Sequence, residues 1–431
     1  MDIIGRLMLG GDKNPERRNL IWNMLGSAVY AITSMLLGVA AIRILGDEEG
    51  GIVFFAFSTL GQQLYIISYF GMRPVQMTDM SWKFSFGDYR AFRLLSAGAA
   101  ALCLLLYLLL FAKQGSIALI WAAMVGYKIA DGFADCYETE YQRQGRLDMT
   151  GKSNFLRTIF SAAVFLLTLA FSKNVVFGSL AFLGAGLLSV YAFAIIPLRL
   201  LKGVDYRKKK STLLPLFHLG KWLFLSSFID IYVFAAAKYA VNSYLGNEAN
   251  AYFSLIFIPT SIINLMAGFI IRPALTKLSI AYETGEKKRF LRGIKKILFW
   301  IIGFTLLGAA GGKILGIRFL ALIVGREKEA LMAYEGALIL LILGGGFYAL
   351  LNLFYYILVI IKARRAIFIA YSIAAVTAFF LSGYSVRQLG IKGGAIAYLI
   401  LMLLLSLMFI AVFIKKIFWE SVFGKRIERG E

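Results

Sequence analysis

Four ionisable side chains, Lys128, Asp131, Asp135 and Glu138, stand at i, i+3, i+7 and i+10 inside a largely apolar stretch. At helical pitch that spacing is one stripe. Lys128 and Asp131 are close enough to pair at i, i+3, which leaves Asp135 without a basic partner on its own helix. In a second apolar stretch Asp230 and Lys238 lie eight residues apart, too far along a helix for a direct pair. An ionisable group at a bilayer centre costs about 2.5–3.5 kcal/mol on insertion scales and therefore faces protein or water. The chemistry these residues suit is coupling, with Asp131, Asp135 and Asp230 for a proton or cation, while Asp230 and Lys238 are each expected to look into a cavity. For Asp135 the alternative is a hydrated position at the cytosolic edge.

Uncharged polar residues form stripes as well. Asn19, Asn23, Ser27, Tyr30 and Ser34 share one helical face, and Gln62, Tyr65 and Tyr69 share another. Amides and hydroxyls match sugar hydroxyls, and aromatic faces pack on sugar rings, so Asn23, Gln62 and Tyr65 are candidate substrate ligands. The same stripes equally suit hydrogen bonds between helices. Arg73 and Arg272 each precede a proline at the end of an apolar stretch. A guanidinium fork suits a pyrophosphate, although arginine at a membrane edge also snorkels.

Other chemistry is excluded by what the chain lacks. One histidine, His218, and two cysteines, Cys103 and Cys136, cannot build a Cys/His metal centre or a disulfide framework. No phosphate-loop glycine signature, zinc-protease helix or nucleophile elbow occurs. No cofactor, metal or self-contained ATP-driven step is expected.

The elements that must carry these residues follow from composition. Of 431 residues 60% are apolar and 16% are charged, against about 25% charged in soluble domains. Apolar runs near 20–43, 51–71, 91–112, 117–137, 155–172, 176–198, 222–241, 251–271, 297–316, 331–361, 366–386 and 393–414 are long enough to cross a bilayer. They predict an all-α polytopic membrane protein with about twelve transmembrane helices. The tenth run exceeds what a bilayer requires, and its first turns near Glu335 lie in an outer loop or the helix tilts. Of the basic residues, 34 fall on the side that holds both termini and the even-numbered loops, and 9 fall in the odd-numbered loops. The positive-inside rule then predicts cytosolic termini. The clusters at Arg207–Lys210 and Lys287–Lys296 are expected to face anionic lipid, since they flank spans and form no nucleic-acid-binding domain.

The chain also echoes itself. Leu45, Gly46, Asp47 and Glu48 match Leu245, Gly246, Asn247 and Glu248 at an offset of 200 residues. Phe70–Pro74 matches Phe269–Pro273, and Gly87, Asp88, Arg90 and Phe92 match Gly285, Glu286, Lys288 and Phe290. Six plus six helices, with six even, makes the repeats parallel, as in one known transporter plan. The expected organisation is a cytosolic segment 1–19 forming a short surface helix, an N-lobe 20–200, a basic linker 201–221, a C-lobe 222–414 and a basic tail 415–431.

Three stretches carry a family resemblance: Arg18, Asn19, Trp22, Asn23, Gly26 and Ser27 with Arg43, Leu45 and Gly46; Phe70 to Arg93; and Gly145, Arg146, Leu147, Asp148, Gly151, Lys152 and Ser153. They resemble bacterial polysaccharide-repeat-unit flippases of the multidrug/oligosaccharidyl-lipid/polysaccharide exporter (MOP) superfamily. The resemblance implies two six-helix lobes in a V around a central, often cationic cavity. It implies a flippase in the bacterial plasma membrane, moving an undecaprenyl-diphosphate-linked oligosaccharide from the cytosolic to the outer leaflet by alternating access, among other polysaccharide-assembly proteins. Arg73, Lys128, Lys238 and Arg272 would then meet the anionic head group. The alternatives are a multidrug or organic-cation antiporter of the same superfamily, for which Asp230 would bind the cation, a lipid II flippase, and a non-transporting scaffold. A polysaccharide polymerase is disfavoured because the longest outer connection, Ile317 to Leu331, is too short for a catalytic loop.

Overall fold

The computed structural model describes residues 2–10, 14–111, 115–316 and 332–427, and among them there are helices and no strands. The Ile317 to Leu331 connection therefore lies outside the described residues. In chain order the helices are α1 (Asp2–Leu9), α2 (Pro15–Leu45), α3 (Asp47–Phe54), α4 (Gly61–Tyr69), α5 (Met72–Thr78), α6 (Phe86–Phe111), α7 (Gly115–Arg143), α8 (Leu147–Ser172), α9 (Val175–Val190) and α10 (Ile196–Leu200). They continue with α11 (Leu213–Ile256), α12 (Ile258–Glu283), α13 (Lys287–Gly311), α14 (Glu335–Ile360) and α15 (Arg364–Ile427). Wider π-helical turns join α3 to α4 and α9 to α10.

Ten described stretches are long and apolar enough to cross a membrane. The last of these, 54 residues from Arg364 to Ile417, is two helices broken at Gly390, and the first expected span falls on the 31-residue α2. Within the described residues the twelve expected spans are helical apart from short turns such as Phe70–Gly71 and Phe257, and the chain is a multi-pass membrane protein. The tenth begins at Glu335, where α14 starts.

Two compact units result, Met1–Phe224 and Leu225–Glu431. The division falls inside α11 and not within the linker, because the first turns of α11 pack on the first unit. There Gly220 lies against Met72, Gly71 against Leu223, and the Phe224 ring stacks on Phe70 at 4.3 Å.

The backbone repeats as the sequence does. Gly46 (φ 87, ψ 176) and Gly246 (φ 83, ψ −179) make the same left-handed break at equivalent places, a conformation that costs any residue with a Cβ. Farther on, α7 and α14 end in the same paired hydrogen bonds. Gly145 N donates to Gln142 O and Arg146 N to Tyr141 O, while Lys362 N donates to Val359 O and Ala363 N to Leu358 O, the Schellman pattern. The halves diverge at the second echo. Phe70 and Gly71 are both left-handed and separate α4 from α5, whereas α12 runs unbroken through Arg272 and Pro273.

Candidate functional site

The α7 stripe is buried in the first unit and wholly engaged. Asp135 forms ion pairs with two arginines brought by other helices, Arg73 from α5 and Arg93 from α6. This corrects the picture of Asp135 as an unpartnered carboxylate: its partners come from outside its own helix. Arg93, 0% exposed, also donates to the carbonyls of Ser68 and Tyr69, which the helix break at Phe70 and Gly71 leaves without intrahelical partners. Ser96 Oγ donates to Ser68 O at 2.7 Å. Arg73 reaches Gln142 Oε1 at 3.3 Å. One carboxylate thus ties the broken second span to α6 and α7.

A third arginine joins two carboxylates that stand about one turn to either side of Asp135. Arg157 of α8 pairs with both Asp131 and Glu138, and Ser153 Oγ donates to Glu138 at 3.0 Å. The expected direct pair between Lys128 and Asp131 is replaced by a bridge. Tyr30 donates to Asp131 Oδ2 at 3.1 Å, Lys128 Nζ donates to the Tyr30 hydroxyl at 3.4 Å, and the ammonium lies 3.9 Å from the centroid of Phe57. Asp131 is drawn off by the guanidinium, a planar fork that satisfies two oxygens at once, so Lys128 is held by a phenol and an aromatic face.

The three stretches that carried the family resemblance build the packing around this network. Gly26 and Gly151 let α2 and α8 approach until a Cβ on Gly151 would lie 2.1 Å from Trp22 O. Asn19 donates to Gly145 O and accepts from Asp148 N, and Arg18 pairs with Asp148 at 3.0 Å. Lys152 Nζ donates to the carbonyls of Leu7 (2.9 Å), Met8 (3.1 Å) and Gly10, closing the C-terminus of α1 with a positive charge. Asn23, 2% exposed, sits in the same α2–α8 crossing. In the Phe70 to Arg93 stretch, Ser85 and Asp88 cap α6 reciprocally at 3.1 Å each. Asp88 also accepts from Lys209 N and Thr212 Oγ1, both at 2.8 Å, pinning the linker. Tyr206 of that linker packs on Phe86 at 5.3 Å, and burial raises its phenol above the ordinary range.

Gln62 is exposed on α4, where Tyr65 stacks on Tyr69 at 5.7 Å. Arg272 is half-buried in α12.

In the second unit Asp230 and Lys238 of α11 are both half-buried and face other helices of that unit. The phenols of Tyr348 and Tyr371 lie near Asp230. Asn352, one turn from Tyr348 on α14, donates to Asn264 at 2.7 Å. Lys238 Nζ lies 4.2 Å from the centroid of Phe257. Among the described residues no ion pair includes either group, and no cluster fit for a metal ion occurs.

Arg93, Arg157, Asn264, Asn352, Tyr348 and Tyr371 were not foreseen. The signal for the first four was a strongly polar residue inside an apolar run. In the sequence the two arginines read as part of the basic charge that flanks the spans.

No protein-family model and no curated protein sequence matches the chain. Solved structures do. The bent form of the MATE transporter VcmN of Vibrio cholerae superposes with a TM-score of 0.77 at 14% identity, over 95% of this chain and 98% of that one. The chain has the fold of the MATE transporters. A MOP-superfamily transporter of Pyrococcus furiosus shares this MATE fold, with a TM-score of 0.70 at 13% identity, covering 95% and 97% of the two chains. Its structure is described as having a binding pocket of reverse polarity that suggests a different function. The eukaryotic MATE transporter AtDTX14 matches with a TM-score of 0.70 at 12% identity, over 93% and 95%. The MATE fold has twelve spans in two lobes, in agreement with the arrangement expected of this chain.

Proposed function

We propose that this chain is a membrane exporter that works by alternating access in a bacterial plasma membrane, with both termini cytosolic. The observation that carries the reading is the full-length likeness to MATE transporters, which spans both units and leaves no further domain among the described residues to house other chemistry.

Two substrate classes have support. The fold neighbours favour a multidrug or organic-cation antiporter, and Asp230, outside every ion pair of the described residues, is the group such a cation would meet. The charge pattern of the first unit favours an anionic substrate, the undecaprenyl-diphosphate-linked oligosaccharide. Asp131, Asp135 and Glu138 are each taken up by arginine, which leaves Lys128 as the buried charge of that stripe outside an ion pair. The sequence resemblance to repeat-unit flippases points the same way. Proteoliposomes separate the two classes. An antiporter accumulates ethidium against a proton or sodium gradient, and a flippase carries a fluorescent lipid-linked oligosaccharide between leaflets. Movement of neither by correctly folded protein overturns the exporter reading.

A further inference from the structure

Asp230, Phe234 and Lys238 stand at i, i+4 and i+8 on α11, one above another on a single face. Opposite them the second unit supplies Asn264 of α12 and Tyr348 and Asn352 of α14, and all six side chains are half-buried. At one end Asn352 donates to Asn264 at 2.7 Å, and the Tyr348 phenol, one turn from Asn352 on α14, lies near the Asp230 carboxylate. In the middle the Phe234 ring lies 4.7 Å from Tyr348, 5.3 Å from Phe257 and 5.8 Å from Tyr398. The buried hydroxyl of Tyr398 has no hydrogen-bond partner. At the far end stands the Lys238 ammonium, resting on Phe257.

Eight residues of helix separate the two charges by about 12 Å, so they cannot neutralise each other. A compact organic cation beside Asp230 would feel the ammonium as well. At an effective dielectric constant of about 20 a like charge at that distance weakens binding about tenfold. The face instead suits a ligand with hydroxyls at one end, an apolar flank in the middle and a negative charge at the other end. A few convergent polar groups around aromatic surface are how small-molecule sites are made.

We propose that this face of the C-terminal unit binds an acidic sugar. Its hydroxyls meet Asp230, Asn264 and Asn352, its ring packs on Phe234 and Tyr348, and its carboxylate pairs with Lys238. The proposal rests on the oligosaccharide reading of the substrate and sharpens it to a glycan carrying a uronic acid.

Calorimetric titration of the purified full-length protein in detergent tests it, using three probes: a glucuronate-bearing disaccharide, its neutral glucose analogue and tetraphenylphosphonium. The acidic disaccharide should bind more tightly than the neutral one. Lys238→Gln should weaken the acidic disaccharide about tenfold and leave the neutral one unchanged, while Lys238→Arg should restore most of the loss. Phe234→Leu should weaken both sugars. Unfolding temperatures of the variants show whether each is folded, and the charge-retaining Lys238→Arg keeps the test sharp if Lys238→Gln is not. Absence of sugar binding at millimolar concentration by folded protein overturns the proposal, as does acidic-sugar binding indifferent to Lys238→Gln. Tetraphenylphosphonium binding that is lost in Asp230→Asn and tightened by Lys238→Gln, without sugar binding, would make the face a cation site. Because binding is read apart from transport, failure here with glycolipid movement intact retires this site alone.

Discussion

Replacing Asp135 by asparagine is the perturbation with the sharpest consequence. Its carboxylate is the shared counter-ion of Arg73 and Arg93, and the Arg73 and Arg93 side chains are 14% and 0% exposed. Removing one partner of a buried ion pair costs about 3–5 kcal/mol, because the remaining charge stays buried without compensation. Here two guanidiniums lose their shared carboxylate, and Arg93 is left with the backbone carbonyls of Ser68 and Tyr69 and the Tyr69 ring at 5.1 Å. A loss of about 4 kcal/mol is expected. For a unit of 224 residues that lowers Tm by about 10 °C, at roughly 2–4 °C per kcal/mol. Thermal unfolding of purified protein in detergent, followed by tryptophan fluorescence, measures it. The double variant Asp135→Asn/Arg93→Leu should recover more than 1 kcal/mol of the loss, since contacting charges are not additive. On sequence grounds alone Asp135→Asn should insert normally and reduce translocation. An unchanged Tm with transport abolished would refute the structural role and return Asp135 to ion coupling.

Other consequences are as specific. Gly151→Ala drives a methyl group to 2.1 Å from Trp22 O, and the forced separation of α2 and α8 should cost about 1–3 kcal/mol in the same unfolding assay. Lys152→Met removes the donor that holds three carbonyls at the end of α1. Amide exchange across residues 2–10 should then rise more than tenfold, with the rest of the unit unchanged. Gly246→Ala, at φ 83, should destabilise by about 1–2 kcal/mol, whereas Gly268→Ala, helical and with open space around its Cβ position, should not. Equal effects at the two glycines would count against the shared break at Gly46 and Gly246.

The spans were legible because membrane crossing needs long apolar runs, and a run ends where charge begins. The break at Gly246 was foreshadowed by its echo of Gly46, since a left-handed backbone leaves a glycine in both copies. What Asp135 touches was not legible. Helical periodicity shows which residues share a face, and gives no account of what another helix brings to that face. Arg93 and Arg157 sit where apolar spans meet basic connecting segments, and there an arginine that snorkels reads the same as one that turns inward. Asn23 illustrates the same limit in reverse, for its stripe reads as a substrate face although the residue sits at the closest crossing of α2 and α8. The C-terminal site was half visible. Asp230 and Lys238 stood out as charges in apolar sequence, while Tyr348, Tyr371 and Asn352 come from helices more than one hundred residues away.

Export is read out by movement across a bilayer. Fluorescent undecaprenyl-diphosphate oligosaccharide placed in one leaflet of proteoliposomes, followed with a membrane-impermeant quencher, and ethidium uptake under an imposed ion gradient cover both substrate classes. Protein-dependent, saturable movement of one of them is expected. Protein-free rates for both, with folded protein and with proton and sodium gradients each applied, would contradict it.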